Sequence, residues 1–282
     1  LSETEYFMTT TTANAAKVMV WLEELLQLRW PDLRVHVTSV SDQWAACSVA
    51  GPKSRQVLGV SLADALIISN ENLPFMGVIE TYLKNGVPCR IARISFSGEM
   101  AYEVYVPSDY GPAMMDLLWP ATKQLDGCLY GLEALGTLRI EKGHVTGSEL
   151  DGRVTIEDAG LGKMASGKKD YIGNVLRKRP ALQDQRRPQL VGIFPKERTE
   201  TFNGGSILCH PKNIEGHGEG WITGVTYSPE LGHWIGIGFI SGGYKNWAGR
   251  FAVAADPIRN GNTLVEIVSP HMVDPKGERM HG

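Results

Sequence analysis

The first 43 residues are predicted to form a strand, a helix and a second strand. Residues 5–12 are rich in aromatic and β-branched side chains, and residues 33–40 alternate apolar with polar, both of which are typical of strands. Between them, a stripe of apolar residues at helical spacing predicts a helix that ends near Arg29, before Pro31. The stripe consists of Val18, Trp21, Leu22, Leu25 and Leu26.

From residue 43 to residue 143 the pattern alternates between strand and helix. The turn Lys84-Asn85-Gly86 is typical of a hairpin, so its two flanking apolar runs are predicted to pair. The predicted order is a strand over 43–49, a short helix after Gly51-Pro52 through Leu58, paired strands over 75–83 and 87–95, a strand-turn-strand over 93–107, and helices over 110–118 and 130–143.

The last hundred residues have a different pattern. From Arg186 onward, short β-branched and aromatic runs follow one another with glycine-rich turns between them and without helical periodicity. This spacing predicts a small antiparallel barrel or sandwich, a separate domain joined through residues 177–188.

Residues 144–180 join these two regions and contain few apolar positions. They are predicted to be an irregular surface segment with one short helix over 171–179. The carboxylate pairs Glu149-Asp151 and Glu157-Asp158 lie in glycine-rich stretches with no histidine at ligand spacing, so they are interpreted as solvated turn residues and no metal site is predicted.

Composition narrows the class of protein. The net charge of −3 argues against a nucleic-acid surface built on general basicity. No apolar run is long enough to span a bilayer, and four scattered cysteines without a C-x-x-C pair indicate reduced thiols. We therefore expect a soluble, cytoplasmic protein with neither a nucleic-acid nor a membrane partner. The chain begins without Met in a strand-like run, which predicts a piece of a longer polypeptide.

Glu103 is the most unusual residue of the pattern. It lies within Tyr102–Val106, a predicted strand in which a carboxylate is expensive to bury unpaired. Two interpretations stay open: Glu103 faces solvent, or it faces a pocket and accepts hydrogen bonds from a ligand with adjacent N–H donors. Thr11 and Thr12, at the end of the first predicted strand, are candidates to offer hydroxyls to a ligand.

Three motifs give the chain a recognisable family resemblance. The segment SFSGEMAYEV (residues 95–104) resembles the strand-turn-strand of the aminomethyltransferase family, the T-proteins of glycine cleavage. Residues 130–143 resemble the helix of that family at Gly131, Leu138, Arg139 and Gly143, and residues 220–240 resemble its carboxyl-terminal segment. The resemblance implies two ferredoxin-like α+β parts followed by a β-barrel. The implied domains are residues 1–60 (the remainder of a first domain), 61–180 and 181–282.

The resemblance also implies a tetrahydrofolate site. Glu103 falls on the glutamate that holds the pterin ring, and Phe96 and Tyr102 are expected to supply flat surfaces, with sheet core as the alternative for both. Leu135 falls where the family has an arginine that reaches the folate, so either another residue replaces that arginine or apolar contact does. Arg139 matches the family helix, and the alternative interpretation is that it is a structural ion-pair partner on this helix. The expected catalytic aspartate lies upstream of Leu1, so no catalytic residue is predicted in this chain.

Within the family, EALGTLRIEKGHVTG and KKDYIGNVLRKRP resemble the carboxyl-terminal half of alpha subunits of heterotetrameric sarcosine oxidases. That resemblance implies partner subunits, including a flavin-bearing beta subunit, with FAD, FMN and NAD held elsewhere in the complex. It implies capture of the imine from oxidised sarcosine as 5,10-methylenetetrahydrofolate, and inactivity of this chain alone. The alternatives are a non-catalytic assembly module of such an oxidase and a divergent aminomethyltransferase.

Overall fold

Residues 1–43 form a helix but, within the part of the chain that the structure describes, no strand. The computed structural model describes residues 1–165, 167–259 and 261–282. Helix α1 (Ala15–Glu24) continues as a wider π-helical turn over Leu25–Arg29, which confirms the predicted helix. The strands predicted over 5–12 and 33–40 are wrong. Both segments are largely exposed, and no neighbouring strand supplies the hydrogen bonds that a strand requires.

A four-stranded antiparallel sheet follows. Its strands are β1 (Trp44–Ala50), β2 (Val78–Tyr82), β3 (Pro88–Ala92) and β4 (Ala101–Pro107). They lie in the order β1, β4, β3, β2, so that β4 is central and β1 forms a free edge within the described residues. The predicted hairpin over Lys84-Asn85-Gly86 is confirmed, and Gly86 adopts the positive φ of 84° that this turn requires.

One face of this sheet packs against two helices, α2 (Ser54–Ser61) and α3 (Gly111–Gln124). Alternate residues of β4 point to that face and are fully buried among the apolar side chains of the helices. Each fully buried aliphatic side chain stabilises the fold by about 1.5–3 kcal/mol. The buried β4 residues are Tyr102, Val104 and Val106, and their helical neighbours include Val57, Leu58, Met114 and Leu118.

The pairing of β1 with β4 bears on the predicted domain boundary at residues 60 and 61. Seven residue pairs join the two strands, from Trp44 opposite Pro107 to Ala50 opposite Ala101. A boundary at residue 60 would therefore divide one hydrogen-bonded sheet and its single core. The predicted division of the chain into three domains stays a prediction.

Helix α4 (Leu132–Lys142) connects the sheet region to the rest of the chain, as the sequence predicted. It ends at Gly143, whose φ of 77° is left-handed. A Cβ at this position would lie 2.4 Å from the Pro270 carbonyl oxygen, so both the backbone conformation and the packing require glycine.

After α4, the described residues of 144–187 form turns and short 3₁₀ segments, which confirms the irregular segment. The helix predicted over 171–179 is reduced to a 3₁₀ turn, Leu176–Lys178, without buried residues. Because few apolar side chains face the protein here, tertiary packing does not support a longer helix.

The remaining residues form a closed antiparallel barrel. The strands are β5 (Pro188–Pro195), β6 (Ile207–Cys209), β7 (Gly220–Ser228), β8 (His233–Ser241), β9 (Phe251–Asp256) and β10 (Gly261–Val268). They close in the order β10, β5, β8, β7, β6, β9, around a core of aliphatic side chains with Phe202 and Trp247. The predicted α+β fold with a carboxyl-terminal β-barrel is confirmed. Two short helices, α5 (Gly243–Trp247) and α6 (Glu278–His281), complete the described elements.

The last turn of α4 joins the barrel through buried charged side chains. Arg139 pairs with Glu149 at 3.0 Å, and Lys142 pairs with Asp274 at 2.9 Å. Glu141 accepts a hydrogen bond from the Ser228 hydroxyl at the end of β7. Glu149 lies in the segment after α4, Ser228 ends β7 and Asp274 follows β10. These contacts therefore hold α4, and Leu135 on it, against three different parts of the chain.

Candidate functional site

Glu103 lies on the face of the sheet opposite the helices. Its cross-strand neighbours are Ser48 in β1 and Ala92 in β3, and Tyr105 follows on the same face with Arg90 beside it. Directly paired residues of an antiparallel sheet share a face. The period of two along β4 therefore separates Glu103 and Tyr105 from the buried residues between them.

Tyr105 holds the Glu103 carboxylate in place. The Tyr105 hydroxyl donates a short hydrogen bond to Glu103 Oε2. Burial raises the pKa of Tyr105, the hydrogen bond and charge of Glu103 raise it further, and Arg90 only partly offsets these effects. The hydroxyl is thus a donor at any physiological pH. Among the described residues, Glu103 Oε1 has no hydrogen-bond partner, so half of this half-buried carboxylate stays available to accept.

Arg90, although close by, does not neutralise Glu103. Its Nε and Nη2 donate to Glu80 Oε1 at 3.2 and 2.7 Å. Its guanidinium lies 4.4 Å from the ring centroid of Phe7 and 4.7 Å from that of Trp44. Glu103 is therefore neither fully solvated nor bridged to an arginine, which are the two arrangements that would argue against a ligand at this carboxylate.

A cleft of about 720 Å³ lies along the free edge of β1, on the side of the sheet where α2 and α3 pack. Its walls come from residues 47–54, from α3 and from the segment that leads into α4. The lining is mainly apolar and aromatic, and it includes Ser48, the cross-strand neighbour of Glu103. Glu103 itself does not line the cleft. Prominent lining side chains are Trp119, Leu129, Tyr130, Leu132 and Leu135.

Leu135 lines this cleft, so a ligand bound there could contact its side chain. The cleft has one cationic side chain in its lining, Lys53, which is half exposed. Lys53 Nζ donates to the Leu125 carbonyl at 3.0 Å and lies 3.9 Å from Asp126. Among the described residues that line this cleft, Lys53 is the one that can supply a positive charge.

The placement of Tyr102 does not support the predicted contact with a ligand. Its side chain is fully buried on the helix-facing side of the sheet, where its hydroxyl accepts from Arg55 Nε at 3.0 Å. Adjacent residues of a strand point to opposite faces, so Tyr102 and Glu103 cannot contact the same ring. Tyr102 is a residue of the sheet core, which was the alternative interpretation.

Phe96 lies in the turn between β3 and β4 with 41% of its surface exposed, so it is not a residue of the sheet core. Its ring centroid lies 5.8 Å from that of His144, whose Nδ1 is 2.9 Å from the Phe96 carbonyl oxygen. Burial lowers the pKa of His144, and the charges of Lys142 and His271 lower it further, against the opposing effect of the Phe96 carbonyl. Phe96 does not line the cleft at Leu135.

Thr11 and Thr12 are exposed at the start of a short 3₁₀ turn, because the strand whose end they were predicted to form is absent. Phe7, four residues before Thr11, packs edge-on against Trp44 and Tyr105 on the open face of the sheet. Among the described residues, no hydrogen bond connects either threonine with Glu103.

The loop carboxylates have structural partners. Glu149 and Asp158 are buried and pair with Arg139 and Arg187, so for these two the solvated interpretation is wrong. Glu157 is partly exposed and pairs with Arg177. Arg139 forms an ion pair with Glu149, as its structural interpretation predicted. Its buried salt bridge contributes to the junction with the barrel.

Sequence reasoning missed Tyr105, Arg90, Ser48 and Lys53. Tyr105 was accessible from the sequence, since the period of two along β4 assigns it to the face of Glu103. The other three gain their significance from strand pairing and from the cleft, which bring distant residues together.

Comparison with known proteins identifies the family of the chain. A family model, the GCVT N-terminal domain, matches residues 1–169. The chain is 39% identical over its whole length to the sarcosine oxidase subunit alpha of Rhizobium meliloti (strain 1021) and 36% identical to that of Corynebacterium sp. (strain U-96). It spans 29% of each of these subunits.

Two further relatives are aminomethyltransferases. The chain is 30% identical to that of Listeria monocytogenes serotype 4a (strain HCC23), over 95% of this chain and 68% of the relative. The crystal structure of aminomethyltransferase T from Bartonella henselae superimposes with a TM-score of 0.69 at 20% identity, covering 93% of this chain and 67% of that one, which shows the shared fold. Among the described residues, no helix has the length and apolar character needed to cross a bilayer. The chain belongs to the GCVT family, together with the aminomethyltransferases.

Proposed function

We propose that this chain is the tetrahydrofolate-binding part of a sarcosine oxidase-type alpha subunit, where it captures the one-carbon unit of oxidised sarcosine. The observation that carries the proposal is the Glu103 carboxylate, half buried, with Oε2 held by Tyr105 and Oε1 without a partner among the described residues. A pterin presents an amino group beside a ring N–H, and one carboxylate can accept from both.

In this proposal the folate reaches from Glu103 across β1, past Ser48, so that its remainder lies in the cleft at Leu135. Its apolar and aromatic lining can hold a benzoyl ring, and its volume of about 720 Å³ lies within the range of about 300–1,000 Å³ found for small-molecule sites. Lys53, at the rim, can pair with a carboxylate of the glutamate tail. In this arrangement Leu135 contributes apolar contact, and Lys53 supplies the positive charge that the family places at position 135.

The expected chemistry joins two substrates. Tetrahydrofolate contributes its N5 and N10 amines, and the methylene carbon of the imine moves to them, giving 5,10-methylenetetrahydrofolate and glycine. The two amine hydrogens balance those gained by the glycine nitrogen. Glu103 fixes the pterin, and the cleft walls exclude water that would hydrolyse the imine to formaldehyde. The oxidation itself requires flavin in a partner subunit, so the oxidase subunits with their FAD, FMN and NAD are part of this proposal.

Isothermal titration calorimetry with tetrahydrofolate tests the binding step. We expect one saturable site, weakened about tenfold or more in Glu103→Gln and Glu103→Ala, because a hydrogen bond to a charged acceptor contributes about 1.5–3 kcal/mol. Glu71→Gln is the matched control, since Glu71 is exposed and distant in sequence from β4. Unchanged affinity in Glu103→Ala would refute the assigned site. Absence of any binding by the unmodified chain would instead favour an assembly module.

A further inference from the structure

A second cleft, of about 670 Å³, lies at one end of the barrel. At this end β6 and β8 finish while β7 and β9 begin, so four strand ends and helix α5 surround one opening. It shares no lining residue with the cleft at Leu135. Its chemistry can therefore be considered independently of the proposed folate site.

The lining of this barrel-end cleft is rich in positive charge, although the whole chain carries a net charge of −3. Lys212 and Arg250 line it, and within the described ranges neither side chain has a hydrogen-bond or ion-pair partner. Arg186 also lines it but is paired with Asp184. Of the described residues in the lining, Glu219 alone carries a carboxylate. Two unpaired cations that line one concave surface are a recognition element for an anion.

His210 adds a neutral donor to these cations. Its Nδ1 lies 3.2 Å from the backbone N–H of Lys212 and accepts from it. A neutral imidazole that accepts at Nδ1 carries its proton on Nε2. His210 therefore has an N–H available for an oxygen of an anionic group in the cleft.

The cleft also has an aromatic wall. Phe251, 39% exposed, lines it beside Trp247, which is almost completely buried and whose Nε1 donates to the Ser241 carbonyl at 3.1 Å. Lys196 Nζ lies 5.5 Å from the Phe251 ring centroid. The indole is therefore held in place in the lining, and the exposed phenyl surface of Phe251 offers a platform for a flat ring.

We infer that the barrel-end cleft binds a small polyanion with an aromatic ring, the chemistry of a nucleoside diphosphate. Its ring packs on Phe251, and its phosphates contact Lys212, Arg250 and the Nε2–H of His210. Glu219 accepts from a sugar hydroxyl between these two ends. The volume suits a ligand of this size, since small-molecule sites occupy about 300–1,000 Å³.

Calorimetry on the 282-residue chain tests this inference with three probes: ADP, adenosine and inorganic pyrophosphate. We expect ADP to bind at one site with greater affinity than adenosine, and more weakly at higher salt. Arg250→Gln should weaken ADP about tenfold and leave adenosine unchanged, because it removes a charge-assisted contact to phosphate. Phe251→Leu should weaken ADP and adenosine while leaving pyrophosphate unchanged.

Lys84→Gln is the matched control, because it removes the same charge from an exposed position in the turn between β2 and β3. We expect it to leave all three affinities unchanged. The inference is overturned if ADP does not bind, or if Lys84→Gln weakens ADP as much as Arg250→Gln does. It is also overturned if Phe251→Leu leaves ADP binding unaltered, since the cleft would then recognise the anion alone.

Discussion

Replacing Glu149 by Gln is expected to destabilise the protein strongly. The Glu149 side chain is fully buried, and its Oε2 accepts from Arg139 Nη1 at 3.0 Å. The same oxygen accepts from the backbone N–H of Thr146 at 2.7 Å and from its hydroxyl at 2.9 Å. Glutamine has almost the same shape but no charge, so Arg139, with 10% of its side chain exposed, would keep a buried positive charge without its counter-ion.

The expected loss is about 3–5 kcal/mol in the free energy of unfolding, the usual cost of removing one partner of a buried ion pair. This is a large fraction of the total stability of a typical protein, which is about 5–15 kcal/mol. The double substitution Arg139→Met with Glu149→Gln should cost less than the sum of the two single substitutions. In the double variant neither charge is left uncompensated.

The pH dependence gives a second readout. Burial opposes ionisation of Glu149, but hydrogen bonds from Thr223 and Thr146 and the charge of Arg139 outweigh it and hold its pKa below the ordinary 4.5. Because the pKa is lower in the folded state, the stabilisation is complete above pH 4.5 and is lost as the pH falls through the folded value. Glu149→Gln removes this contribution, so its stability should fall less steeply below pH 4.5 than that of the unmodified chain.

Urea unfolding followed by circular dichroism, at pH 7 and at pH 4, measures both effects. Asp184→Asn is the control, since it breaks the exposed Arg186–Asp184 pair, for which we expect a far smaller change. If Glu149→Gln lost less than about 1 kcal/mol at pH 7, the pair would contribute no more than a surface salt bridge. The inference that the buried Arg139–Glu149 pair holds α4 in place would then be refuted.

Two further predictions concern the sheet and the thiols. Tyr105→Phe should weaken tetrahydrofolate binding in calorimetry by less than Glu103→Ala does, because it frees Glu103 Oε2 without removing the acceptor; a loss equal to that of Glu103→Ala would contradict this order. In the native chain at pH 8, Cys128 should react with a thiol reagent much faster than Cys47 or Cys89 in a chromogenic assay. Cys128 is exposed, whereas burial raises the pKa of each of the other two to about 11. If two or three thiols per chain reacted in the fast phase, this prediction would be wrong.

Much of the fold could be predicted from local pattern. The hairpin at Asn85-Gly86 carries its own turn signal, and α4 and the barrel strands have sequence periods that match their packing. The strands predicted over 5–12 and 33–40 failed for the opposite reason. Their β-branched residues favour extended backbone, but a strand exists only when a second strand pairs with it, which no local pattern reports.

The site was predictable in part. The position of Glu103 in an otherwise apolar strand drew attention to the face that carries the candidate site, and alternation assigns Tyr105 rather than Tyr102 to that face. Lys53 could not be found in this way. It shares a cleft with Leu135 because the free edge of β1, the end of α3 and the start of α4 all line that cleft.

The charged last turn of α4 has a consequence for how this sequence can vary. Arg139, Glu141 and Lys142 each have a partner in a different segment, at Glu149, Ser228 and Asp274. A substitution at any of these six positions removes the partner of a buried polar side chain unless the partner residue changes as well. Natural variants of this protein should therefore exchange these residues pairwise. A barrel grafted with the segment after β10 onto a related α/β half would have to keep Ser228 matched with Glu141 and Asp274 matched with Lys142.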